Sequence, residues 1–101
     1  MAELSKKALF NAKNSGTAIV KDLEIVVVNV GTFKDVDKDG HEVTVSVLES
    51  KDGTMYTTIS ATVANSLDLL GEIIDEDKEV TVKVRQSISN NNREFYQLEI
   101  I

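Results

Sequence analysis

The chain has 101 residues, no cysteine, no proline and a formal net charge of −6. One domain is expected across residues 1–101, able to bury roughly 65% of its unfolded surface, and disulfides and thiolate metal sites are excluded. The acidic balance argues against binding nucleic acid by bulk attraction, but the charge is segregated: +3 over residues 1–21, −10 over 22–77 and +1 over 78–101.

Residues 1–16 form an N-terminal extension without a clean period. Two readings stand: a short helix lined by Leu4, Ala8, Leu9 and Phe10, or an edge strand over Ala8–Ala12, with a turn at Asn14-Ser15-Gly16 in either case. From Thr17 to Phe33 the chain is apolar and β-branched. Leu23, Ile25 and Val27 share one parity, and Val26, Val28 and Val30 the other. That switch predicts one long, bent strand, with Gly31 placed for a bulge or sharp bend.

Asp35–Gly40 is a turn cluster. In the strand that follows, Val43, Val45 and Val47 alternate with Glu42, Thr44 and Ser46, which is strict period-2 patterning. Asp52-Gly53 makes a tight connection to a strand over Thr54–Ser60, so residues 41–60 read as a hairpin. Met55, Thr57 and Ile59 take the inward parity there, which turns Tyr56 and Thr58 outward. The period then becomes helical. Val63, Leu67, Leu70 and Ile74 form a stripe of about three turns, with Ser60 or Thr62 as its cap and Gly71 as its stop.

After Asp75-Glu76-Asp77, Val80, Val82 and Val84 point inward and Thr81, Lys83 and Arg85 outward. Beyond the polar turn Ser89–Asn92, Tyr96, Leu98 and Ile100 share the inward parity, leaving Arg93, Phe95, Gln97 and Glu99 outside. Val, Ile and Thr supply 29 of 101 residues, which favours sheet. The expected fold is therefore all-β with one helix: a five-stranded OB-fold barrel, order β-β-β-α-β-β, its helix plugging one end. The rival is a split α+β sheet with the helix on one face.

OB domains commonly bind single strands or oligosaccharides across their second and third strands and adjoining loops. A single-strand site needs aromatic faces for bases and cations for phosphates. The candidates are Phe33, Tyr56 and Phe95 for stacking, and Lys34, Lys83, Arg85 and Arg93 for phosphates. Each also has a plainer reading: Phe33 as a core residue, Tyr56 as a cross-strand partner, Phe95 as cover for the barrel's outside against the N-terminal segment, and the cations as a solvated face.

The chain resembles the small single-OB single-stranded-DNA-binding proteins of bacteriophages and mobile elements. The resemblance is one of layout over residues 17–101, carried by HEVTVSVLESKDGTMYTTIS, TVANSLDLLGEII and EVTVKVRQSISNNNREFYQLEII. It implies single-stranded DNA as partner in replication or recombination, in a family whose members often form homodimers. The absence of cysteine makes a cytoplasmic location the expectation (the host cytoplasm for a phage-encoded protein). The long acidic, glycine-rich C-terminal tail of the commoner bacterial type is not present, so recruitment through such a tail is not expected. The acidic centre motivates an alternative without nucleic acid: a protein-interaction module, either an inhibitor or a small virion subunit.

Neither catalysis nor a cofactor is expected. Asp35–Gly40 imitates the start of an EF-hand loop, but the twelfth position is Ser46, so a plain turn is expected and no metal. The single histidine, His41, has no Cys or second His for zinc and no nucleophile motif for a triad. There is no glycine-rich phosphate loop and no apolar run of the roughly 20 residues that a membrane helix needs, and no small-molecule substrate or membrane partner is expected.

Overall fold

A computed structural model describes residues 4–88, 90–91 and 94–101. Ser5 opens the first helix, α1 (Lys6–Ser15), by accepting the Ala8 amide on its hydroxyl at 3.2 Å. This decides between the two readings of the N-terminal extension. After Gly16 come β1 (Thr17–Ala18), β2 (Glu24–Val36), β3 (Glu42–Ser50), β4 (Met55–Thr58), α2 (Ala61–Asp77), β5 (Val80–Ile88) and β6 (Glu94–Ile100).

The strands form one six-stranded sheet in the order β1-β4-β3-β2-β5-β6. All neighbours are antiparallel except β1 and β4. Five strands and one helix were expected, so the count is corrected to six and two. The apolar stretch from Thr17 is not one strand, because Asp22 turns into the left-handed region at φ 67°. That turn frees Thr17–Ala18 to pair separately along the edge of β4.

The parity switch in β2 has a local cause. Its ladder with β3 shifts register between Val27 and Asn29, so Val28 is the extra residue of a bulge. Ile25 and Val27 before the bulge, and Val30 after it, thereby all reach the core. Gly31 has another task. A Cβ there would meet Leu9 at 3.0 Å and Leu4 at 3.2 Å, so its bare backbone seats α1. The Leu4 amide also donates to the Val30 carbonyl at 3.0 Å.

Between sheet and α2 lies the main core: Ile19, Ile25, Val27, Val30, Leu48, Val80, Val82 and Val84 against Val63, Leu67, Leu70 and Ile74. Each such side chain contributes roughly 1.5–3 kcal/mol relative to exposure. Ser60 is the cap of α2. Gly71 does not end the helix as expected. It lies inside, where a Cβ would just touch Val30 at 3.5 Å, and burial of Ile74 carries the helix on to Lys78, its left-handed cap at φ 72°.

The middle of β3 is buried on both faces. Ser46 and Leu48 face α2, while Val45 and Val47 lie opposite Phe33 and Gly31 on the face that α1 covers. The valine alternation is therefore real, but its apolar side is not the main core. Both helices flank the one sheet, on opposite faces, unlike the rival arrangement with a single helix on one side.

Candidate nucleic-acid interface

The outer face of the β5–β6 pair collects three of the sequence-predicted residues. Antiparallel register sets Lys83 opposite Glu99, Arg85 opposite Gln97 and Ser87 opposite Phe95, so all six side chains share one face. Val82, Val84, Tyr96 and Leu98 take the other parity and pack into the core, as expected. Ile100 shares that parity but remains exposed. Phe95 is half-buried.

Acidic groups accompany these cations. Lys83 lies between Glu24 on β2 and Glu99 on β6, and Arg85 forms an ion pair with Glu99. The face thus offers cations for phosphates whose charge is largely balanced by neighbouring carboxylates.

Phe33 belongs to a second place. It opposes Val45 and lines a groove of about 380 Å³ with Lys13, Gly16, Thr57, Ile59 and Tyr96. Lys34, its neighbour in sequence, points to the opposite face. There its ammonium donates to the Thr44 hydroxyl at 2.7 Å and lies 3.9 Å from Glu42. The sequence signals for Phe33 and Lys34 do not converge on one spot.

Tyr56 requires a correction. It opposes Leu48, which is fully buried, and its ring packs against the core cluster. Thr57, expected inside, instead opposes Val47 on the face of α1. The reason is physical: α1 makes the outer face of this hairpin as apolar as the inner one, so alternation alone does not say which side is in. Arg93 lies outside the described residues.

Two features had weaker sequence signals. Tyr96 is both a core residue and a wall of the Phe33 groove, and Lys13 enters that groove from α1. Only the excess positive charge of residues 1–21 hinted at the second. The Asp35–Gly40 turn is shorter than expected, since Asp35 and Val36 still pair in β2; within it Asp37 accepts the amides of Asp39 and His41, each at 2.9 Å. Asp37, Asp39 and His41 come within 4.8 Å of one another through this local geometry. No helix among the described residues is long and apolar enough to cross a membrane.

Comparison with known proteins places the chain in a family. The family model described as "Phage Single-stranded DNA-binding protein" matches residues 2–101. The single-stranded DNA-binding protein of Bacillus phage phi29 is 31% identical over 101 residues, covering 91% of this chain and 82% of the relative. That of Bacillus phage PZA is 30% identical over the same coverage. No solved structure matches. With nearly the whole chain matched, this protein belongs to the phage single-stranded DNA-binding protein family.

Proposed function

We propose that the chain binds single-stranded DNA with little regard to sequence, as a non-enzymatic protein of phage DNA replication and recombination. Family membership over residues 2–101 carries this reading. The acidic protein-interaction module is not favoured beside it. In this proposal Phe95 stacks on a base at the outer face of β5–β6, with Lys83, Arg85 and Arg93 at phosphates. Phe33 offers a second ring from the groove. Lys34 contacts phosphate from the opposite face of β2.

The same proposal takes the curled sheet as an OB-type barrel. Supporting it, β2 sits centrally and pairs with both β3 and β5, and α2 falls between β4 and β5. At the open seam the Ser60 hydroxyl donates to the Tyr96 carbonyl at 2.7 Å. The outer edges of β1 and β6 keep a homodimer within the proposal, and light scattering measures it.

Fluorescence anisotropy with labelled oligo-dT at low and moderate salt is the test. Binding is expected, weakening steeply with salt, and Phe95→Ala weakens it by about 1–3 kcal/mol. Absence of binding at low salt, with a stoichiometric protein partner recovered instead, overturns the proposal in favour of the interaction module.

A further inference from the structure

The cations on the β5–β6 face sit among carboxylates, and so does Lys34. Those of the N-terminal segment are less matched, with Asp35 sharing the groove that Lys13 lines and Asp22 following Lys21. Among the described residues Lys6, Lys7, Lys13 and Lys21 are all exposed, and the ion pairs formed involve other cations. Residues 1–21 carry a net +3 in a chain of −6.

The helix displays these charges in one direction. Leu9 and Ala12 turn toward the sheet, where Ala12 is 2% exposed. Lys6, Phe10 and Lys13 fall at i, i+4 and i+7, so they form one ridge along the outward side. Phe10 is 66% exposed on that ridge. Lys6, Lys7, Phe10 and Asn11 line a shallow hollow, and Lys13 leads from the ridge into the groove that holds Phe33.

An exposed phenyl ring in a segment where ammonium groups outnumber carboxylates has the two elements a single strand requires, a π-face for a base and charge for phosphates. We propose that α1 is a second contact surface for single-stranded DNA: Phe10 stacks on a base, and Lys6, Lys7 and Lys13 pair with phosphates. The occupant follows from charge complementarity between this ridge and a polyanion. The inference rests on the single-strand-binding reading and extends it from the sheet to the helix.

The full-length chain is titrated with oligo-dT across a salt series. Each phosphate contact contributes about 0.7 to the slope of log K against log salt for single strands. The triple variant Lys6→Gln, Lys7→Gln, Lys13→Gln is expected to lower that slope by about 2. Phe10→Ala is expected to weaken binding roughly 5- to 150-fold. These side chains are exposed, so circular dichroism and thermal melting should match wild type.

The chain contains no tryptophan, so Phe10→Trp gives a local reporter. Its emission is expected to be quenched by oligo-dT at the stoichiometry of binding. An unchanged slope, or emission unmoved at saturation, overturns the proposal while wild-type binding leaves the single-strand reading standing. Failure of the wild type to bind overturns both.

Discussion

The Ser60 hydroxyl joins two distant parts of the chain: it accepts the Val63 amide at 3.4 Å and donates to the Tyr96 carbonyl at 2.7 Å. One oxygen thus caps α2 and ties β6 to the end of β4. Ser60→Ala removes both bonds. A cap contributes about 1 kcal/mol and a second, part-buried bond about another, so a loss near 2 kcal/mol is expected in urea denaturation. Ser60→Thr, which keeps the hydroxyl, should recover most of it.

Gly16 is constrained by space, since its φ of −67° suits any residue. A Cβ there would lie 2.5 Å from the Ala12 carbonyl oxygen and 2.6 Å from the Thr57 methyl group. The first neighbour is backbone and does not move aside. Gly16→Ala should cost about 1–3 kcal/mol, and limited proteolysis should show α1 released earlier than in wild type.

Ser46 is fully buried, and its hydroxyl has no hydrogen-bonding partner among the described residues. Such a group carries a desolvation cost that bonding does not offset. Ser46→Ala is expected to raise stability by about 1 kcal/mol, read from the urea midpoint at an unchanged m-value.

Asp52 in the β3–β4 turn is held below the usual carboxylate value of 3.8, chiefly by hydrogen bonds from Thr54 and also from Ser50. A depressed folded pKa contributes stability that is present above 3.8 and lost as pH falls through the lower folded value. The gap in urea midpoint between wild type and Asp52→Ala should be widest near neutrality and should narrow below pH 3.8.

Tyr56 and Phe95 should separate cleanly. With its ring against the core, Tyr56→Ala is expected to cost about 2 kcal/mol of stability, whereas Tyr56→Phe leaves oligo-dT affinity within about 0.5 kcal/mol of wild type. Phe95→Ala should do the reverse, losing affinity by anisotropy with little change in melting temperature.

Periodicity made α2 and the inward valines of β5 legible, because each buries one face and leaves the other to less buried residues, while the β3–β4 hairpin was legible from its alternation and its Asp52-Gly53 turn. It failed at Tyr56, where a helix covers the second face and both parities become apolar. It also failed at Gly71, which burial of Ile74 keeps inside the helix, and at Gly31, whose role is close approach between elements brought together only by the fold. At the proposed site the outward parity of Lys83, Arg85 and Phe95 could be read. The carboxylates beside those cations could not, since Glu24 and Glu99 become neighbours of Lys83 only through strand pairing.

The cover that α1 provides also bears on handling the protein. Beneath it lie Val45 and Val47, within the β-branched run Val43–Leu48, which contains no charge and no proline. Removing residues 1–16 would lay that run bare on a strand surface, in the composition that favours intermolecular β-stacking. Aggregation, rather than simple loss of a helix, is the consequence to watch for, and an affinity tag is better carried at the other end of the chain.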